Sequence, residues 1–355
     1  MTGTAERYEQ QALGCALLGS PFYARLLERL AADARAGGPA DRVLADFAER
    51  PGGDAPQLRL LGGIHRMVLT GELPDLARHF PSAGGDGDAD AAWPLVRGLL
   101  ADLPGAVADA LTRPPQTNEV GRAGPLGGGL AVVAGDTGLP LRLFELGTSA
   151  GLNLRLDRFH HEADDRTMGD PTAAVRFVDL WDDGAPPYSA IEVVERRGCD
   201  RSPLDPADEA DRLTLLSYLW PDQAERRART EAAIEVAQRV PAEVERADIG
   251  TWLADRLDLV DGTATVVFHS IVWQYLEPEE QAQVRQRLHE VGQRASTRHP
   301  LAWLRLEPHT TEARTDLRLT TWPSGEERLL AEAGFHAGRA RWLGPRRPGG
   351  AADRF

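Results

Sequence analysis

The stretch LRLFELGTSAGLNL, residues 141–154, decides how this chain is read. Leu141, Leu143, Phe144 and Leu146 form a short apolar run of the kind that fills a buried strand. A turn of small residues follows, Gly147-Thr148-Ser149-Ala150-Gly151, and an apolar run that reads as a helix starts at Leu152. In open α/β sheets the first strand-to-helix turn is where ligands bind. Small residues let the backbone approach a ligand, and the free N–H groups of a helix start point at it. Glu145 sits just before the turn and Asn153 just after it.

Outward from this stretch the pattern alternates. Further β-rich runs cover residues 175–180, 191–195, 263–270, 301–306 and 317–322, with amphipathic helical runs at 225–239 and 279–292. Buried runs separated by helices predict a mainly parallel sheet covered on both faces. Upstream the chain reads as helices. Ser20-Pro21 is an N-cap followed by proline at the first helical position, and Leu26, Leu27, Leu30 and Ala34 share one face before Gly37-Gly38 stops the helix. A second helix is expected from Asp41 to Glu49, and a third carries Leu58, Leu61, His65 and Val68, with His65 as a packed core histidine. The acidic run at 84–90 lacks the glycine and the final glutamate of a calcium loop and reads as a surface loop. The Pro/Gly-rich stretch 113–129, with its GPLGGG tract at 124–129, is expected to separate the two regions. The expected organisation is an all-α N-terminal cap over 1–115, a methyltransferase-like Rossmann α/β domain over 116–345 and a flexible tail over 346–355.

Composition narrows the function classes. The 355 residues are 42% hydrophobic, enough for one large core or two modest ones. A formal net charge of -14 disfavours nucleic-acid binding, which needs clustered cations. There is no lysine, which excludes a Walker-type phosphate loop, a Schiff-base lysine and a lysine general base. No apolar run is long enough to span a bilayer, and since the start MTGTAERYEQQ is polar, no export signal is expected. Cys15 and Cys199 are the only cysteines, so a disulfide framework is excluded and a cytoplasmic setting is expected.

Two chemistries compete for the turn. Methyltransferases of this fold carry an acid at the end of the first strand, followed by Gly-x-Gly-x-Gly; here Glu145 supplies the acid and Ser149 replaces the middle glycine. The same residues 147–151 also match the G-x-S-x-G elbow of α/β-hydrolases, which would make Ser149 a nucleophile. Against the elbow, the region before Leu141 reads as helical, whereas an elbow follows earlier strands. A tight turn that binds nothing is the third possibility.

Several long strings resemble the bacterial family of domain of unknown function 2332. They are GSPFY at 19–23, LLGGIH at 60–65, QTNEVGR at 116–122, ELGTSAGLN at 145–153, RGCDRSPLD at 197–205, WPDQ at 220–223 and HSIVWQY at 269–275. The resemblance extends over nearly the whole length. It implies a methyltransferase-like fold and transfers no chemistry with it.

Other candidates follow from strand ends. His269 closes the run 263–268, on the edge expected to hold Ser149, and can serve as a general base; Glu307 after 301–306 is a second candidate base, with His309 beside it. His336 is a further candidate for that edge. Trp273, Gln274 and Tyr275 can line a substrate. Asp200, after the strand 191–195, is a candidate for ribose hydroxyls, with Asp179, Asp182 and Asp205 competing; Asp248 is either an adenine-amino acceptor or an N-cap. Asn118, Glu119, Arg122 and Arg197 are expected to grip a substrate, with helix capping the alternative for Asn118. The run HHEADD at 160–165 lacks metal-site spacing and reads as a solvated charge run, and no metal is expected.

The leading expectation is an S-adenosylmethionine-dependent enzyme acting on a small polar metabolite. The cofactor would lie on Glu145, Gly147, Thr148, Ser149, Ala150, Gly151 and Asn153, with Asp200 and Asp248 on its polar ends. His269 or Glu307 would deprotonate the acceptor. The alternatives are an enzyme of the same fold that binds no methyl donor and performs hydrolysis or intramolecular displacement, a serine hydrolase through Ser149, and a non-catalytic partner protein. Neither nucleic acid nor membrane is an expected partner.

Overall fold

Residues 141–146 and 264–270 lie side by side and, except for the partly exposed Ser270, are buried; runs so rich in Leu, Val and Phe sit inside a covered sheet. The computed structural model describes residues 3–47, 55–102, 105–112 and 115–345. The expected helix end at Glu49, the start of the expected linker at Arg113 and the tail over 346–355 lie outside these residues.

In chain order the helices are α1 (Thr4–Leu17), α2 (Pro21–Arg35), α3 (Pro39–Leu44), α4 (Pro56–Leu69), α5 (Pro74–Ala77), α6 (Ala89–Asp102), α7 (Gly105–Thr112), α8 (Ala123–Thr137), α9 (Glu209–Ser217), α10 (Ala224–Arg239), α11 (Ile249–Arg256) and α12 (Pro278–Gly292). The strands are β1 (Leu141–Leu146), β2 (His160–Ala163), β3 (Arg166–Met168), β4 (Arg176–Phe177), β5 (Trp181–Asp183), β6 (Val193–Asp200), β7 (Glu243–Arg246), β8 (Ala264–Ser270), β9 (Leu301–Pro308), β10 (Thr315–Trp322), β11 (Glu326–Ala333) and β12 (Ala340–Trp342).

The chain divides into two compact units. One comprises the described residues up to Thr117 with Ala207–Thr230; the other comprises Asn118–Pro206 and the described residues from Glu231 onward. The first is therefore helical but not continuous in sequence, since it also takes in 207–230. Within it, α2 forms as its signals require. Ser20 Oγ accepts from the Tyr23 amide at 3.4 Å, Pro21 opens the helix, and Leu26, Leu27, Leu30 and Ala34 are buried. Gly37 ends it with φ +69°. His65 on α4 is buried and bonded at both nitrogens, to the Ser217 carbonyl at 3.0 Å and Ser82 Oγ at 2.8 Å.

In the second unit the large sheet runs β5-β12-β11-β10-β9-β8-β1-β6-β7. The five strands β7, β6, β1, β8 and β9 are mutually parallel, and β10 and β11 continue antiparallel. The chain moves outward from β1 through β6 to β7, then returns to the other side of β1 for β8 and β9. One face of the sheet is covered by α11 and α12: Phe144, Val267, Leu301 and Trp303 pack with Trp252, Leu253, Val284, Leu288 and Val291. Full burial of each such side chain contributes about 1.5–3 kcal/mol.

The opposite face is held by α8, which corrects the expectation of a Pro/Gly linker. The GPLGGG tract lies inside a helix whose residues 123–133 are all buried. A Cβ on Gly129 would stand 2.5 Å from Leu304 Cδ1, and one on Gly127 2.6 Å from His161 Cε1. The helix backbone thus rests directly on its neighbours. That contact offsets the cost of about 1 kcal/mol that each helical glycine carries relative to alanine.

Three other expectations change. The run 175–180 yields only the two-residue β4, in a small sheet ordered β3-β2-β4. The run 160–165 is not a solvated charge run, because His160 and His161 lie buried in β2. The strand expected at 191–195 extends to Asp200, so Arg197 and Asp200 lie within β6 instead of after it. Short strands such as β5, β7 and β12 carried no distinct apolar signal.

Candidate functional site

The residues singled out at the β1 turn hold the turn itself together. No α-helix follows β1; residues Leu152–Arg158 form a 3-10 segment interrupted at Arg155. Four of the amides at the turn are occupied. The Thr148 amide donates to the Cys199 carbonyl at 3.0 Å, Ser149 to Asp200 Oδ2 at 2.9 Å, Gly151 to the Thr148 carbonyl at 2.8 Å and Leu152 to Asn118 Oδ1 at 2.9 Å. Thr148, Ser149 and Ala150 are buried, and Ser149 adopts φ +53°. Asp200 uses its other oxygen on the Ser202 amide at 2.8 Å, so both of its oxygens accept backbone N–H groups.

The neighbouring candidates behave alike. Glu119 caps the short turn Val120–Arg122 through the Gly121 amide at 2.9 Å. Asn153 Nδ2 donates to the Glu119 carbonyl at 3.3 Å. Arg122 donates to the carbonyls of Phe335 at 3.2 Å and Ser270 at 3.1 Å. Asn118 serves as a backbone cap. Arg197 pairs with Glu195 and Glu243. Asp248 stands at the N-cap position of α11 without a side-chain capping bond and accepts from Arg201 Nε at 2.7 Å. Glu145 is fully buried and receives the Thr148 hydroxyl; burial pushes its carboxyl up to about 8, so it carries a proton at neutral pH.

A cavity of about 220 Å³ opens elsewhere, on the face of β8, β9 and β10 that bears His269, Trp303, Arg305, Glu307, Asp316 and Arg318. Register explains the grouping. Glu307 stands opposite Asp316 and Arg305 opposite Arg318 across the antiparallel pair, while His269 stands beside Arg305 in the parallel pair. Alternate residues of a strand share a face, so these side chains converge. Trp273 from the 3-10 segment Trp273–Tyr275 and Arg285 from α12 complete the wall. His309 also lines the cavity. Gln274 and Tyr275 are exposed and lie outside this wall.

The hydrogen bonds at its centre define protonation. Trp303 Nε1 donates to His269 Nε2 at 3.1 Å. An indole nitrogen only donates, so His269 Nε2 is the unprotonated nitrogen. Nδ1 then carries the hydrogen and donates to Glu307 Oε1 at 2.6 Å. The Val272 amide donates to the same oxygen at 3.0 Å. Glu307 Oε2 is buried and, among the described residues, has no hydrogen-bond partner. The expected roles of His269 and Glu307 therefore separate. Both nitrogens of His269 are engaged in these bonds, whereas Glu307 Oε2 has no partner among the described residues. His269 also stacks on Trp273, with ring centroids 5.4 Å apart.

The arginines differ in their pairing. Arg305 and Arg318 both pair with Glu327, and Arg318 also with Asp316. The Arg285 guanidinium lies 4.7 Å from the Trp273 ring centre and bonds Gln281; among the described residues no carboxylate pairs with it. Arg285, Trp303, Arg305, Asp316 and Arg318 were not singled out from sequence. The register that brings them to Glu307 is a property of strand pairing. Among the described residues, no group of three or more His, Cys, Asp or Glu side chains is placed to hold a metal, and no helix is long and apolar enough to cross a membrane. Both cysteines are buried and unbridged.

No curated protein and no solved structure matches the chain. A family model described as an uncharacterized protein conserved in bacteria (DUF2332) matches residues 5–342. The chain belongs to the DUF2332 family, over nearly its whole length.

Proposed function

We propose that the chain is an enzyme whose Glu307 takes a proton either from water, which then hydrolyses a small polar metabolite held in the cavity, or from a nucleophilic group of that metabolite, which then displaces a leaving group on the same molecule, in both cases without a methyl donor. The supporting observation is the asymmetry of the Glu307 carboxylate. Oε1 is fixed by His269 and the Val272 amide, and Oε2 is buried without a partner among the described residues, in a side chain that lines the cavity. A carboxylate so oriented accepts a proton at Oε2, while His269 holds its angle as a positioning residue. The volume of about 220 Å³ falls below the roughly 300–1,000 Å³ of sites for drug-sized ligands, which suits a small metabolite better than a nucleoside donor. Screening small polar metabolites for turnover, followed by Glu307→Gln on any substrate found, tests this. A drop in kcat of about 10²–10⁴-fold is expected. Undiminished turnover in E307Q rejects Glu307 as the base.

Strand order favours a second reading, S-adenosylmethionine-dependent methyl transfer on a Rossmann-like sheet. In sheets of this type the chain reverses direction of build-up beside the first strand, and ligands bind outside the carboxyl ends at that point. Here that point lies between β1 and β8, with Glu145 at the end of β1. Calorimetry with S-adenosylmethionine and its demethylated product decides: micromolar binding supports methyl transfer, and absence of heat rejects it.

A further inference from the structure

We infer that the ligand of the Glu307 cavity is a small zwitterion with a primary ammonium and a carboxylate, that is, a free amino acid. The inference rests on the reading of this cavity as the reactive site. It follows from counting what the cavity wall leaves unsatisfied.

Buried polar atoms are almost always hydrogen-bonded, and a group of exceptions around one cavity marks what a ligand supplies. Two acceptors on this wall lack hydrogen bonds among the described residues, Glu307 Oε2 and Asp316 Oδ1. They belong to residues directly opposite each other on β9 and β10. Asp316 is 6% exposed, and its Oδ1 lies 2.8 Å from Arg314 Nη1, close enough for charge attraction but without hydrogen-bond geometry. Two carboxylate oxygens of this kind on facing residues call for a cationic group with several donors, which an ammonium provides.

The donors left over point to the other half of the ligand. Arg305 Nε is buried without a partner, and Arg285 faces the cavity with no carboxylate of its own. Arg305 and Arg318 are already neutralised by Glu327 and Asp316. The net result is one uncompensated cation, Arg285, and one uncompensated anion, Glu307, beside the same cavity. A simple anion would meet Glu307 and Asp316 unfavourably, and a simple amine would leave Arg285 unused. The indole faces of Trp273 and Trp303 already carry Arg285 at 4.7 Å and Arg305 at 4.0 Å, which leaves the carboxylate oxygens as the place for an ammonium.

The test uses the full chain and its intrinsic fluorescence, since Trp273 and Trp303 line the cavity. The proteinogenic amino acids are titrated at neutral pH, then the best binder is compared with its deaminated and decarboxylated analogues. At least one amino acid is expected to bind with Kd below about 1 mM, and each analogue about tenfold more weakly or worse. Arg285→Ala, an exposed position that leaves the core intact, is expected to weaken the amino acid about tenfold or more and leave the decarboxylated analogue unchanged. The idea fails if no amino acid binds at about 20 mM, far above that range. It fails equally if the deaminated analogue binds as well as its parent, or if R285A binds like wild type. The two proposals are separable. Turnover of a ligand lacking an amine, lost in E307Q, would keep Glu307 as base and remove the zwitterion; amino-acid binding with turnover undiminished in E307Q would do the reverse.

Discussion

Trp303 on β9 donates its indole hydrogen to Nε2 of His269 on β8 at 3.1 Å, between residues 34 positions apart in the sequence. This contact sets the tautomer of a histidine that is 1% exposed, and so decides which nitrogen faces Glu307. The order of dependence is indole, imidazole, carboxylate: each group orients the next, and only the last ends in an unpartnered atom.

Replacing Trp303 by Phe keeps an aromatic ring and removes the donor. His269 Nε2 then becomes a buried acceptor without a partner, which costs about 1–3 kcal/mol in chemical denaturation. Imidazole nitrogen NMR of wild type is expected to show His269 protonated at Nδ1 only. A His269 signal with Nε2 protonated and Nδ1 bare in wild type would reverse the assigned roles.

Helix α8 offers an internal comparison. Gly129→Val places new carbon where Leu304 already lies 2.5 Å from the Cβ position, so destabilisation of about 1–3 kcal/mol is expected. Gly135 on the same helix is exposed, with nothing within 4 Å of its Cβ position, and Gly135→Ala should stabilise by about 0.5–1 kcal/mol. Equal effects from the two changes, measured by thermal unfolding, would show that the glycines are not there for close packing.

His65 and His161 give a pH dependence of stability. Burial pulls both imidazoles from 6.5 down to about 4. Between those values the unfolded chain binds more protons than the folded one. Stability is thus fully present above pH 6.5 and falls as pH drops to 4, by at most about 3 kcal/mol for each histidine. His161→Gln should flatten this slope for the sheet unit, and His65→Gln for the helical unit. Unfolding midpoints measured from pH 4 to 7 that keep the wild-type slope would mean neither imidazole is held neutral by its surroundings.

Glu145 works in the opposite sense. Its carboxyl is raised from 4.5 to about 8, chiefly by burial, so the unfolded chain releases a proton that the folded one keeps. Stability associated with the protonated form is complete below pH 4.5 and is lost as pH rises to 8. At about 1.4 kcal/mol per pH unit, the full loss is at most about 5 kcal/mol. Glu145→Gln keeps an acceptor for the Thr148 hydroxyl and abolishes the titration. The variant should gain on wild type steadily from pH 5 to pH 8; a constant difference over that range would show a carboxylate that is already ionised in the fold.

What the chain declares on its own is what depends on neighbours in sequence. The largely apolar runs at β1 and β8 and the face of α2 formed by Leu26, Leu27, Leu30 and Ala34 were legible, because their side-chain period matches one element and one covered surface. His269 and Glu307 were also legible as strand-end residues, since parallel strands bring their carboxyl ends to one edge. Tertiary structure alone decided the rest. The tract at 124–129 is a helix because Leu304, His161 and Trp342 leave room for backbone and nothing more. His160 and His161 are interior because β3 and β4 pair around them. The β1 turn consumes its own amides on Asp200 and Asn118, partners 51 and 34 residues away. The cavity wall exists because β9 and β10 pair in the register that sets Glu307 opposite Asp316. Local periodicity carries no record of such pairings: which side chains meet across strands depends on register, and register is chosen by the energy of the whole packed sheet.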